Sequence, residues 1–544
     1  MICILHGYLL DGSGSNLWTR SIVEALCRNG ETVHLVCQET HPERYDFIAE
    51  AFAYGMDGSL VTLFRRDVPY EGRCIFHKPQ LGDTLPVFVW DRYEEFTNVV
   101  PMIELPDAAI EEYLKRNTDV VMHIVQAFAV TAIHANHAVL LSVVAQRVSA
   151  AASIPFTIMP HGSDIEYAVK KDERYLRLAA GAFAAAARVF VHGQEMRARV
   201  REVFSSVPDL DGKMTELHLG VDSGLFTPIP RHLRPKNIDR LLEVLAQAPR
   251  GKSPEMSEVM RQRLAGGRTE REVRAALRSA ADYAAKQPDA DIEAKLAEID
   301  WANDKTLLFV GRLIASKGLQ SILAALPLIL DRHPTARLLV VGHGPLREAM
   351  EALLWALEHG ETSLVEKMVG WGSSLEGAES KAFATLRCFY DDLGDRGELE
   401  SYFEKARHHV RPGRVVFTGY LTHRELCYVF PCCDAAIFPS VVAEAGPLVF
   451  LEALASGCFP LGTYFAGMAA SIDAVAAALP AEDAELMKLG ADPGNTVADL
   501  VTNVSAALRL GDKHQDRLRE VAVAHYDWKN IARKFASELG SLGL

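Results

Sequence analysis

Thr306-Leu-Leu-Phe-Val310 runs into Gly311-Arg312-Leu-Ile-Ala-Ser-Lys317-Gly318, and an apolar helical stretch follows. A second apolar run at 337–341 then ends at Gly342-His-Gly-Pro345. An apolar run, a small-residue loop, a helix and another apolar run describe a strand–helix–strand unit. Continuous rather than alternating apolar strands belong to a parallel sheet covered on both faces. The pattern continues through apolar runs at 414–418, 435–438 and 458–461. It also fills the first part of the chain. There, strand-like runs at 2–5, 32–37, 60–64, 130–134, 155–159, 188–192 and 216–219 interleave with helix-like segments at 18–28, 108–128, 139–151, 175–187 and 195–204. The fold class is therefore α/β, with two doubly wound parallel-sheet domains. Open sheets of this kind bind ligands at the carboxyl ends of their strands, so two of them facing each other would form a central cleft.

At 544 residues the chain is too long for one core. The spacing predicts a first domain at 1–228, closed by Gly220-Val-Asp-Ser-Gly-Leu-Phe-Thr-Pro228. A linker with a charged helical insertion follows at 229–300, then a second domain at 301–515 with another helical insertion at 351–409. A C-terminal helical tail at 516–544 is expected to cross back to the first domain. Both insertions could be partner surfaces, an oligomer interface or cleft-edge lids, and solvated helical elaboration is the default reading.

A formal net charge of −14 disfavours a general nucleic-acid binder. No apolar run reaches the roughly 18 uncharged residues needed to span a bilayer. The N-terminus enters a strand without a basic segment, so no export signal is expected. Nine scattered cysteines without a CxxC pair read as reduced thiols, and adjacent Cys432 and Cys433 as small core residues. A cytoplasmic location is expected, with no metal site.

The chemistry gathers near strand ends. Arg312 and Lys317 stand in the loop after a core strand, where a guanidinium fork and an ammonium point charge suit a diphosphate. Glu444 and Glu452 lie eight positions apart: Glu444 just before a helix that Pro447 would open and Gly457 would stop, and Glu452 inside it. A carboxylate in such an apolar helix is costly unless it binds something, and hydroxyl-rich ligands such as sugars and ribose suit it. His161, in Met159-Pro-His-Gly-Ser-Asp164, closes a first-domain strand and could bond either a ligand hydroxyl or a backbone carbonyl. His134, Asn136 and His137 close the preceding strand and are candidates for the acceptor side. Gly12-Ser-Gly14-Ser-Asn16 offers small residues before a helix starting near Leu17, yet lacks the third glycine of a dinucleotide fingerprint. Asp289-Ala-Asp291 reads as a solvated face. Trp90, Tyr93 and Phe96 could face a sugar ring or pack in a core.

Taken in order along the chain, several of these pieces resemble the retaining glycosyltransferases of family 4, which have the GT-B fold of two Rossmann-like domains. They are Gly12–Asn16, His161-Gly-Ser-Asp164, Gly220-Val-Asp222, the 310–318 loop, Val341-Gly-His-Gly-Pro345, Phe417-Thr-Gly-Tyr420, Pro439-Ser440 and the Glu444/Glu452 pair. The resemblance implies that Arg312 and Lys317 hold the donor diphosphate, Glu444 the donor sugar and Glu452 the ribose. It implies that Tyr420 and Leu421, with Leu448, line the donor site, that Gly14 lets the first domain's loop close over donor phosphate, and that His161 lies near the donor sugar. Two departures stand out. Phe465-Ala-Gly467 replaces a common Gly-Gly, and Gly446-Pro447 a common Phe-Gly.

The activity implied is hexosyl transfer from a nucleotide-diphosphate sugar to an acceptor with retention, independent of metal and of any cofactor beyond the donor. The partners implied are a UDP- or GDP-linked sugar and a glycan, lipid-linked or small-molecule acceptor, with peripheral contact at the inner membrane surface open and no nucleic acid. A sugar phosphorylase, a nucleotide-sugar epimerase or a non-catalytic sugar-nucleotide binder on the same scaffold are the alternatives. A nicotinamide-dependent dehydrogenase is more distant, given the broken fingerprint.

Overall fold

The computed structural model describes all residues except 83, 89–95, 267–268, 282–285, 380, 443–445, 447 and 544. The chain forms two compact units, Met1–Gly220 with Ala524–Leu544, and Val221–Val523. The segment 229–300 thus belongs to the second unit, and the last residues of the tail to the first.

The first unit holds strands β1 (Ile2–Leu5), β2 (Thr32–Val36), β3 (Ile48–Tyr54), β4 (Leu60–Arg65), β5 (Arg73–Pro79), β6 (Thr84–Val87), β7 (Asn98–Pro101), β8 (Ala132–Asn136), β9 (Phe156–Met159), β10 (Arg188–Val191) and β11 (Met214–Glu216). Nine of them form one sheet in the order β11-β10-β9-β8-β1-β2-β5-β3-β4, while β6 and β7 pair separately. All pairs are parallel except β3 with β4, an antiparallel edge. β3, β5, β6 and β7 are absent from the runs expected above. β3 is alanine-rich and β5 carries Arg73, His77 and Lys78, so both depend on β2 and on each other for their pairing. The helix expected near Leu17 begins at Gly14, because Ser13 caps it by accepting the Asn16 N–H at 3.3 Å. Every residue of β1, β8 and β9 is buried, as strands covered on both faces require. Trp18, Phe190 and Phe535 pack on one face, Phe535 coming from the tail helix Trp528–Gly540. Gly220 lies so close to Trp528 that a Cβ would come within 2.4 Å of the indole.

The second unit carries β12 (Lys305–Val310), β13 (Ala336–Val341), β14 (Val415–Gly419), β15 (Ala435–Phe438), β16 (Phe459–Thr463) and β17 (Lys488–Leu489), all parallel, in the order β14-β13-β12-β15-β16-β17. This is the doubly wound order whose switch point falls between its first and fourth strands, here β12 and β15.

The insertions are not simple solvated elaboration. From the first of them, Arg234 is 2% exposed and its Nη1 lies 3.2 Å from Asp434, whose other oxygen accepts the Thr306 N–H at 2.7 Å. Asp289, read above as part of a solvated face, is 1% exposed. Both its oxygens accept from Arg347, at 2.8 and 2.6 Å, and Lys295 reaches it at 2.6 Å. Arg347 also meets Glu351 at 2.9 Å, and Lys252, 1% exposed, bonds Glu351 at 3.0 Å and Glu348 at 3.3 Å. Local spacing gives no sign of this, because Arg347 lies 58 residues away.

Removing one partner of such a network leaves an uncompensated buried charge. Asp289→Ala is expected to cost about 3–5 kcal/mol in urea unfolding. A loss under about 1 kcal/mol would show that water reaches Arg347.

Candidate functional site

At the switch point of the second sheet, the loop after β12 packs on the loop after β15. Gly318 has φ +78°, and a Cβ there would sit 1.9 Å from the Pro439 carbonyl oxygen, so only glycine fits. The Val441 N–H donates to Ser316 O at 2.8 Å. On the other side the Leu313 N–H donates to His343 O at 2.8 Å, and a Cβ on Gly342 would strike Gly311 O at 1.9 Å. The second insertion adds a brace that sequence reading missed: Glu376 Oε2 accepts the Ala315 N–H at 2.8 Å. Arg274 of the first insertion holds Ser374, two residues before it, through Nη1 to the carbonyl at 2.9 Å and Nη2 to the hydroxyl at 2.7 Å. The loop so fixed carries Arg312, exposed and without an ion pair among the described residues, and Lys317, half-buried.

Glu452 belongs to the helix Leu448–Ala455 and is 4% exposed. Its Oε1 pairs with His423 Nδ1, a partner no sequence spacing suggests, and among the described residues its Oε2 has no hydrogen-bond partner. A buried carboxylate oxygen left open in this way is an acceptor waiting for a hydroxyl. Leu448 opens the helix half-buried, and Gly457 ends it at φ +70°. Glu444 and Pro447 lie outside the described residues, as do Trp90 and Tyr93, whereas Phe96 is half-buried. Ala466 holds a left-handed φ of +50°, a conformation that residues with a side chain rarely adopt.

Tyr420 stacks edge-on to His343 with ring centroids 5.2 Å apart, and Leu421 is buried. The Tyr420 N–H donates to Gln287 O at 2.9 Å, so the first insertion occupies the backbone donor of that loop. Gly419, at φ +77°, is needed there because a Cβ would approach Gln287 O to 2.5 Å.

In the first unit the adjacent strands β1, β8, β9 and β10 are each followed by a histidine at or near the carboxyl end: His6, His137, His161 and His192. Their rings form a row, His6 to His137 at 5.8 Å, His137 to His161 at 4.9 Å and His161 to His192 at 5.4 Å. The row crosses the β1/β8 switch point. The sequence signal was available, since all four stand at strand ends, but only sheet order makes them neighbours. Burial pushes His6 and His192 down to about 4. It also holds His137 and His161 well below the ordinary imidazole range, neighbouring imidazoles adding to the effect, so the row is neutral near pH 7.

Asn136 bonds His161 Nε2 at 3.0 Å and is fully buried. His134 lies further from the strand's carboxyl end, wedged among Trp18, Phe190 and Phe535 with Nδ1 on Thr157 Oγ1 at 2.8 Å, as a core histidine would be. Gly14 opens the first turn of its helix with free space where a side chain would be. Asp164 ties the loops after β8 and β9 together by accepting the N–H groups of Ala138 at 2.5 Å and His161 at 3.2 Å.

Residues 304–369 and 393–491 match the family Glycosyl transferases group 1. An uncharacterized glycosyltransferase of Methanocaldococcus jannaschii is 26% identical over 155 residues, 28% of this chain and 26% of that protein, so the chain spans about a quarter of the curated relative it matches. Sucrose-phosphate synthase from Thermosynechococcus elongatus is similar in structure, with a TM-score of 0.54 at 16% identity over 99% of this chain and 98% of that one. Anabaena HepE in complex with UDP-glucose gives a TM-score of 0.50 at 13% identity over 99% of both chains. The architecture, two α/β units with parallel sheets, is that of GT-B glycosyltransferases. The strand-end loop that carries Arg312 and Lys317 thus lies within the stretch that matches Glycosyl transferases group 1.

Proposed function

We propose that the chain is a retaining glycosyltransferase that moves a hexosyl group from a nucleotide-diphosphate sugar to an acceptor hydroxyl. The observation that carries this reading is the switch point of the second sheet, where a braced loop bearing Arg312 and Lys317 meets the loop after β15. Arg312 and Lys317 would bind the diphosphate and stabilise the charge that grows on it as the bond to the sugar breaks. The open oxygen of Glu452 would accept a ribose hydroxyl, with His423 holding the carboxylate in place. The base would lie near Tyr420 and Leu421, where Gln287 has already taken one backbone donor. Glu444 is assigned to the donor sugar, and His161 to a ligand hydroxyl.

In this scheme the bond from the anomeric carbon to the phosphate oxygen breaks, and a bond to the acceptor oxygen forms on the same face. The acceptor proton passes to a phosphate oxygen, so atoms and charge balance. The chain's own cations carry the leaving-group charge, which is the support for transfer without a metal. HepE is held with UDP-glucose, which makes UDP-glucose the first donor to test.

A thermal-shift panel of UDP, GDP, ADP and dTDP with their sugars tests the reading. One nucleotide sugar at about 100 times its Kd should stabilise the fold by about 2.7 kcal/mol. No shift with any of them would refute the donor site.

A further inference from the structure

We infer that Thr19 and Asn136 are positioning residues that fix His161 as the Nε2–H tautomer, so that its Nδ1 is a hydrogen-bond acceptor aimed at a ligand hydroxyl. The inference deepens the assignment of His161 made above and rests on it only for the identity of that hydroxyl.

Thr19 Oγ1 donates its single hydrogen to the Ser15 carbonyl at 2.8 Å, inside the helix Gly14–Arg28. Toward any other group it can only accept. Asn136 Nδ2 lies 2.9 Å from that oxygen, so the amide nitrogen must face Thr19 and the amide oxygen must face the other way. The oxygen meets His161 Nε2 at 3.0 Å and can only accept, so Nε2 carries the proton. The imidazole is neutral, so Nδ1 keeps its lone pair. Among the described residues nothing bonds Nδ1, and the ring is half-buried rather than sealed.

His6 repeats the device independently. Its Nε2 faces two acceptors, Leu9 O and Asn16 Oδ1, both at 3.1 Å, and the Asn16 amide is oriented by donating to Asp11 O at 2.6 Å. Nδ1 of His6 is likewise left without a partner among the described residues. Two histidines of the row are therefore set in one tautomer by asparagines, each of which is itself held by a neighbour. A general acid is excluded at His161, because its one N–H is committed to Asn136. Ligand chemistry at Nδ1 is that of a hydroxyl donor.

The groups that face His161 are His6, His134, His137 and His192, with Asp164 on its backbone N–H and Arg199 beside Gly162. None supplies a rival acceptor to Nε2.

The test is nitrogen-15 NMR of the full chain with histidine ring labels, assigned with a His161→Gln control. Wild type should show His161 as a single Nε2–H tautomer that does not titrate between pH 5 and 8, these limits set about the ordinary value near 6.5. Asn136→Leu and Thr19→Val should each give a mixture of tautomers. Asn136→Asp should keep Nε2–H but bring a protonation step into that window, because a carboxylate favours the imidazolium. UDP release from UDP-glucose should fall by up to about 100-fold in Asn136→Leu, in kcat more than in KM. An Nδ1–H tautomer in wild type, or an unchanged tautomer in both Asn136→Leu and Thr19→Val, overturns the inference. If wild type keeps the tautomer but turns over no nucleotide sugar, the transferase reading fails and the positioning role stands.

Discussion

Arg312→Ala is expected to lower donor turnover by about 10²–10³-fold, the scale on which removing one preorganised charge-stabilising group acts. The guanidinium is exposed and makes no ion pair among the described residues, so the fold should lose almost nothing. The loop is held by other contacts: Val441 on Ser316, Leu313 on His343 and Glu376 on the Ala315 N–H. Arg312→Lys should recover part of the loss, because the charge returns without the fork that grips two phosphate oxygens. The measurements are steady-state UDP release together with the melting temperature of each variant. Turnover within about threefold of wild type, with the fold intact, would remove Arg312 from the donor site.

The second large effect is loss of stability in acid, centred on the first unit. Burial lowers His6, His34 and His192 from 6.5 to about 4, and His134 to about 3. His77, His137 and His161 are also held well below that range. The sign follows from proton counts. Below pH 6.5 the unfolded chain takes up protons that the native fold refuses, so stability falls with pH until the native values are reached. It is fully present above about pH 7.5 and lost between about 6.5 and 4. A single shift from 6.5 to 4 corresponds to about 3 kcal/mol, and several act together. Asp164 and Glu348, whose carboxyls burial raises, oppose the trend by taking protons in the native state. Thermal unfolding followed from pH 8 to 4, with hydrogen exchange to localise it, should show the first unit failing first. A melting temperature flat across that range would contradict the burial of these imidazoles.

The device that fixes His161 also explains why the acceptor-side candidates divide. His134, Asn136 and His137 are close in sequence, yet the strand directs them differently. Successive residues of a strand point to opposite faces, so His134 and Asn136 share a direction. Only Asn136 stands near enough to the carboxyl end to reach His161, while His134 is left among aromatic rings.

Apolar runs and small-residue loops were enough to declare the α/β class, and Arg312, Lys317 and Glu452 could be read as candidates for a diphosphate and for hydroxyls because each stands where a strand ends or inside an apolar helix. Such properties are local: periodicity and loop chemistry are written in neighbouring residues. Tertiary structure decided the rest. It made strands of Ile48–Tyr54 and Arg73–Pro79, whose composition hides them, because a partner edge was available. It turned Asp289 from an apparent surface carboxylate into half of a buried ion pair, because Arg347 arrives from another helix. It gave Glu452 a partner in His423 and the Arg312 loop a brace in Glu376. Above all it set four strand-end histidines in one row, since the sheet places β8 beside β1 although six strands separate them in the chain. Proton positions, charge pairing and burial depend on groups distant in sequence, and only the packed chain brings those groups together.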